Sequence, residues 1–142
     1  MGWPAYVVSG ARHLTDRPIT VGLRIDDGER LTRRARTVVI GNVGRLQGGI
    51  SLLPDAEPDD GVLDVVVISP RHVGDWVRVG ARVIARHDRV DRRVERFRAK
   101  RVEIRCLEPQ PVQLDGDVVE ERTHLIVEVD PGALVLRVPR RP

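Results

Sequence analysis

Apolar and polar positions change register many times along this chain, and the changes predict short strands more often than helices. Ile19, Val21, Leu23 and Ile25 alternate with Thr20, Gly22 and Arg24, the two-residue period of a strand with one buried face. Asp26-Asp27-Gly28 follows directly and supplies a hairpin turn, because Asp and Gly tolerate positive φ. Thr37-Val38-Val39-Ile40 is nearly all apolar, which predicts a strand at the centre of a sheet. Residues 63–68 repeat that character with five apolar residues around Asp64, and Pro70 closes the strand. Further strands are predicted at residues 97–106, 111–114 and 124–129. The Pro131-Gly132 turn introduces a last one at 133–138.

One segment follows the helical period. Val73, Trp76, Val77, Gly80, Val83 and Ile84 recur at helical spacing, with Asp75, Arg78 and Arg82 off the stripe, which predicts an amphipathic helix. Tyr6, Val7, Ala11 and Leu14 resemble the end of another. Many short strands with one long helix predict a mainly β fold: an antiparallel β-sandwich-like domain with one amphipathic helix. No repeat or low-complexity linker divides residues 1–142, so one domain is expected.

The chain has 142 residues, enough to bury a core as a single domain. No apolar run approaches the roughly 18–20 residues that span a bilayer. Met1-Gly2-Trp3-Pro4 lacks the basic region and apolar stretch of a signal peptide. A soluble, cytoplasmic protein is expected. Cys106 is the only cysteine, which excludes an internal disulfide and a cysteine-rich metal site. The net charge is +3 with Lys100 as the sole lysine. Arginines at 71, 78, 82, 86, 89, 92, 93, 96 and 98 make the middle of the chain its basic part. Such a patch suits phosphates or an anionic membrane surface, although an ordinary solvated face is the simpler explanation. Asp75, Asp88, Asp91 and Glu95 dilute the field, and aromatic residues make up 3 % of the chain, too few for base stacking. Nucleic acid is not an expected partner.

Three segments could carry chemistry. Residues 41–49, Gly-Asn-Val-Gly-Arg-Leu-Gln-Gly-Gly, follow a strand but lack the Gly-Lys-Ser/Thr of a phosphate-binding loop; taken alone they read as a structural turn. Residues 54–60 bring Asp55, Glu57, Asp59 and Asp60 together, a density of hard oxygens that suits Mg²⁺ or Ca²⁺, though without EF-hand spacing; taken alone, Asp59-Asp60-Gly61 reads as a turn before a strand. Asp115-Gly116-Asp117 places two carboxylates around a glycine, which reads either as a plain turn or as a metal ligand beside a general base. His13, His72, His87 and His124 show no metal spacing, and no serine lies in a nucleophile elbow.

The order of these elements is more specific than any one of them. A strand ends in Gly-Asn; then come a Gly-Gly loop, Pro-Asp-Ala, Asp-Asp-Gly before Val-Leu-Asp-Val-Val-Val, an amphipathic helix and an Asp-Gly-acidic turn. Pro-Gly-Ala-Leu-Val-Leu-Arg-Val-Pro closes the series. From about residue 38 to 139 the chain resembles the C-terminal domain of the lipid kinases related to bacterial diacylglycerol kinases and sphingosine kinases. The resemblance implies a β-sandwich-like module packed against a nucleotide-binding α/β domain. The Gly-Gly-Asp-Gly-Thr motif that holds ATP in that family is absent here. The chain therefore resembles a C-terminal domain lacking its first strands, with the N-terminal nucleotide-binding domain missing. Strands at 38–40 and 63–68 would then have lost neighbours, and a homodimer or aggregate is expected.

By the same resemblance the Mg²⁺ ligands are the Asp60 carboxylate and the backbone carbonyls of Glu57 and Val62. The general base that takes the proton of the lipid hydroxyl is Asp117, where the family carries glutamate, and Asp115 helps to order the site. Gly44-Arg45-Leu46-Gln47 replaces a segment that usually contains an aromatic residue. The implied reaction is phosphoryl transfer from ATP to a lipid with a free hydroxyl, with this chain inactive on its own. Two other readings remain: a non-catalytic lipid- or nucleotide-binding module, and a partner for a separately encoded nucleotide-binding half.

Overall fold

The computed structural model describes residues 17–44, 53–69, 94–115, 117–135 and 137. These residues form seven strands: β1 (Ile19–Ile25), β2 (Arg30–Ala35), β3 (Thr37–Gly41), β4 (Leu63–Ile68), β5 (Val94–Ala99), β6 (Arg101–Leu114) and β7 (Asp117–Glu128). A four-stranded sheet runs β2-β1-β6-β7, and a three-stranded sheet runs β3-β4-β5. Every pairing is antiparallel. No helix occurs among the described residues; the amphipathic helix expected over 73–84 and the helical end before Leu14 lie outside them.

Alternation places the inward residues of both sheets against one another. Val21 and Leu23 from β1, Ala35 from β2, Val65 and Val67 from β4, Ala99 from β5 and Val102 from β6 form one buried cluster, so the sheets pack face to face as a sandwich. Each valine or leucine of the cluster contributes roughly 1.5–3 kcal/mol when fully buried. The opposite face of β4 is covered as well. Val66 and Ile68 pack with Leu53, Val39, Ala56 and Val94, and this second cover explains why β4 carries an unbroken apolar run.

The chain changes sheets twice, and polar groups hold both crossings. Arg36 lies between β2 and β3, and its N–H donates to the Ile68 carbonyl at 2.9 Å. Lys100 lies between β5 and β6. There Asp26, at φ 50° in the turn after β1, accepts the backbone N–H groups of Lys100 at 2.8 Å and Arg101 at 2.9 Å through Oδ1. A further clasp joins β2 to β5: Arg33 Nε donates to both Glu95 carboxylate oxygens, at 2.8 and 2.9 Å.

Several expectations are corrected here. Among the described strands β3 is at the edge of its sheet, with β4 in the centre; its apolar run reflects cover on both faces. β4 is paired on both sides, so it offers no open edge for association. The strand expected at 97–106 is two strands divided at Lys100, and 111–114 is the far end of β6. β2, between Asp26-Asp27-Gly28 and Arg36, had no counterpart in the sequence reading. Ala133, Leu134, Val135 and Arg137 are not in a strand.

β6 and β7 form a long hairpin. β1 pairs with β6 only from Val102 to Cys106, so among the described strands the outer part of the hairpin is paired only within itself. The ladder is irregular between Arg105 and Gln110, where Pro109 cannot donate to it, and again between Val112 and Gln113. The outer hairpin leaves Leu107, Leu114, Val118 and Val119 exposed.

Candidate functional site

The acidic loop is built against the start of β4. Leu53 anchors it in the second cluster, and the Ala56 N–H closes a turn on the Leu53 carbonyl at 3.1 Å. Gly44 lies so close to this loop that a Cβ would fall 2.8 Å from the Leu53 carbonyl oxygen. The glycine-rich segment after β3 thus permits a backbone approach at that point. Gly61, at φ 72°, turns the chain into β4, and the Val62 N–H donates to Asp60 Oδ1 at 3.0 Å, the local bond by which aspartate stabilises a turn.

Three charged side chains meet here. Asp64 stands opposite Arg98 in the β4–β5 register, and Arg98 Nε lies 3.8 Å from Asp64 Oδ1. The Arg98 guanidinium also pairs with Asp60 Oδ2. Arg98 is 54 % exposed, while the Asp60 and Asp64 side chains are 18 % and 11 % exposed. The cation therefore covers two carboxylates from the solvent side. Asp64 Oδ2 is buried and finds no hydrogen-bond partner. Burial raises the Asp64 pKa; Arg98 opposes that effect, and Asp60 and Asp55 add to it.

Asp55, Glu57 and Asp59 are exposed on the same loop. Among the described residues no three acidic, histidine or cysteine side chains are grouped to hold a metal, so a cation here would depend on two carboxylates plus backbone carbonyls. The chemistry of that set, oxygen donors with one orphaned carboxylate oxygen, fits a hard divalent ion such as Mg²⁺. As the side chains stand, Arg98 supplies the counter-charge.

Asp115 and Asp117 lie elsewhere. Leu114 pairs with Asp117 across the hairpin, and Asp115 adopts φ 51° in the turn. Both are exposed, beside exposed Leu114, Val118 and Val119. Asp60 is tied through Arg98 to the end of β5, next to the start of β6, whereas Asp117 begins β7 beyond the far end of β6. The intervening thirteen steps of β6 correspond to about 40 Å of strand. The structure brings Asp60 and Asp64 together and keeps Asp115 and Asp117 as a separate pair at the hairpin tip.

A third carboxylate is buried on the four-stranded sheet. Glu103 Oε1 accepts from Arg105 Nε at 2.6 Å and contacts His124 Nε2 at 3.0 Å, with Arg30 at 3.8 Å. Hydrogen bonding to Arg105 is the main cause that holds the Glu103 pKa below its ordinary value, with His124 adding to it against the desolvation of burial. Its charge is answered within the fold.

The sequence pattern alone does not single out Asp64 and Arg98. The available signal was one acidic residue inside an otherwise apolar strand, a position where burial demands a partner.

The profile of the family described as the YegS C-terminal NAD kinase β-sandwich-like domain matches residues 2–138. A protein of Pseudomonas aeruginosa named "Probable lipid kinase YegS-like" is 34 % identical over 100 residues, covering 70 % of this chain and 32 % of its own length, in each of two strains. The chain thus spans about a third of the length of these curated relatives. Two solved structures from Bacillus anthracis str. Sterne share the fold. A diacylglycerol kinase superposes with a TM-score of 0.64 at 23 % identity, covering 84 % of this chain and 43 % of that one. A further chain superposes at 0.69 and 24 % identity, covering 89 % and 44 %.

Proposed function

The chain belongs to the YegS C-terminal NAD kinase β-sandwich-like family, and from that premise we propose that it is the lipid-side half of an ATP-dependent lipid kinase. The observation that carries this reading is the hairpin tip, where two exposed carboxylates, Asp115 and Asp117, stand among the exposed apolar side chains Leu114, Val118 and Val119. An amphipathic substrate with one hydroxyl matches such a surface: its chain lies on the apolar residues and its hydroxyl reaches a carboxylate. A soluble polar acceptor would have no use for that apolar margin.

In the proposed reaction Asp117 accepts the proton of the lipid hydroxyl as its oxygen bonds to the γ-phosphorus of ATP. The bond from that phosphorus to the bridging oxygen breaks, and ADP leaves with the electron pair. Asp115 holds the turn that presents Asp117. ATP would be held mainly by a nucleotide-binding domain, because no phosphate-binding loop motif occurs in this sequence. The Asp60 carboxylate, with the carbonyls of Glu57 and Val62, would hold Mg²⁺, and Asp64 would answer its second charge. When bound, that ion would supply positive charge that braces the acidic loop against β4 and β5. The chain on its own would be inactive, and an anionic membrane would be the surface on which it meets its substrate.

The test joins the chain to the nucleotide-binding part of the Pseudomonas relative and measures label transfer from ATP to diacylglycerol in vesicles. Asp117→Asn should lower kcat by at least about 100-fold with ATP affinity nearly unchanged, and Asp117→Glu should keep or raise activity. The unfused chain should transfer nothing. Wild-type kcat in the Asp117→Asn fusion would remove that carboxylate from the chemistry.

A further inference from the structure

We propose that Arg98 is a built-in counter-cation of the acidic loop, and that a divalent metal enters by displacing its guanidinium from Asp60 and Asp64. The inference rests on the reading of Asp60 as a metal ligand and adds how that site is controlled. Three observations carry it. Asp60 has both oxygens engaged, Oδ1 by the Val62 N–H at 3.0 Å and Oδ2 by Arg98, so a cation can reach Oδ2 only if the guanidinium leaves. Asp64 lies just behind, with Oδ1 at 3.8 Å from Arg98 Nε and Oδ2 buried without a partner; a single positive charge leaves this pair of carboxylates under-neutralised. Arg98 itself is half exposed, on β5 one pair from the end of the β4–β5 register, so it can swing into water without crossing the core.

The chemistry favours exchange over coexistence. A guanidinium is a permanent single charge that binds carboxylate through directed N–H groups. A divalent ion brings twice the charge to within roughly 2.0–2.6 Å of the same oxygens and accepts backbone carbonyls that arginine cannot use. Whichever cation is present ties the loop at residues 53–62 to β4 and β5. The loop is therefore braced with or without metal in the wild-type chain, and depends on metal once Arg98 loses its charge.

The experiment follows thermal unfolding of the 142-residue chain in EDTA and across a Mg²⁺ titration, for the wild type, Arg98→Gln, Arg98→Lys and Arg98→Gln combined with Asp60→Asn. Arg98→Gln should melt lower in EDTA and recover with Mg²⁺, at a midpoint concentration on the order of tenfold below that of wild type, because a competing charge a few ångströms away has gone. Arg98→Lys should keep a midpoint near that of wild type, and Asp60→Asn should abolish the recovery. Equal midpoints for wild type and Arg98→Gln would overturn the exchange and leave the metal reading standing. Absence of any Mg²⁺ response in both would overturn the metal reading with it. Nitrogen-15 NMR of the wild type gives the same answer without a variant. The Arg98 Nε–H signal should move with Mg²⁺ at the midpoint of the Val62 amide, and a stationary Arg98 signal beside a moving Val62 amide would contradict the proposal.

Discussion

Asp64 and Glu103 occupy matching places in the two sheets. Each sits on an inner strand, on the face turned away from the inter-sheet core, and each residue is nearly buried, at 8 % and 6 % exposure. Their surroundings differ. Glu103 is met by Arg105, His124 and Arg30, whereas Asp64 has one distant arginine shared with Asp60 and one bare oxygen. The pKa values move in opposite directions for that reason. Buried polar groups are ordinarily satisfied, so the satisfied carboxylate belongs to the scaffold. The unsatisfied one, Asp64, marks the candidate site.

The largest effect expected from this contrast is on Glu103→Gln. It leaves Arg30, Arg105 and His124 gathered without their anion, and the Tm at pH 7 should fall by on the order of 5–10 °C. Because the folded pKa of Glu103 is lowered, its stabilisation is present above its ordinary value of 4.5 and is lost as pH falls through the folded value. The gap between wild type and Glu103→Gln in thermal melts should therefore close on acidification; a gap that persists at pH 2–3 would assign the effect to shape, not charge.

Asp26→Ala comes next. It removes the acceptor for two backbone N–H groups at the second crossing between sheets, and the Tm should fall by about 3–5 °C. An unchanged melt would mean that water replaces the carboxylate at no cost and that the crossing does not depend on it.

Asp64→Asn should do least, with the opposite sign. In EDTA at pH 7 the variant should lie within about 1 kcal/mol of wild type or above it, since the desolvated charge goes and the partial pairing with Arg98 goes with it. The folded pKa of Asp64 is raised from 3.8, so its favourable contribution is complete below 3.8 and is lost as pH rises through the folded value. The two proteins should converge below about pH 4 in the same melts. A large loss in Asp64→Asn at pH 7 without metal would place Asp64 beside Glu103 as a scaffold residue.

The sequence made some of this legible and concealed the rest for physical reasons. β1 and β4 stand out because alternation and an apolar run report burial directly. β2 is hidden because one of its inward positions is the half-buried Arg33, which depends on Glu95, 62 residues away, for a partner. The break at Lys100 carries no glycine or proline; it is held by Asp26, 74 residues earlier, and no local rule detects a bond of that span. β3 was placed in the centre because apolar runs usually mean neighbours on both sides, whereas here they mean cover on both faces. At the site, the density of acids does not separate Asp60 from Asp55, Glu57 and Asp59, and only the family resemblance singles it out; the same density draws attention from Asp64, whose single charge in a valine strand is the sharper sign. Arg98 was lost among the many arginines of residues 71–98, since only its register opposite Asp64 sets it apart.

The most direct test of the contrast is a carboxyl-carbon NMR titration of the wild-type chain in EDTA, repeated with Mg²⁺. Asp64 should titrate above 3.8 and Glu103 below 4.5, and Mg²⁺ should perturb the Asp60 and Asp64 carboxyl signals while leaving Glu103 unmoved. Ordinary titration of both carboxylates, or a response to Mg²⁺ at Glu103 and none at Asp60 or Asp64, would contradict that contrast.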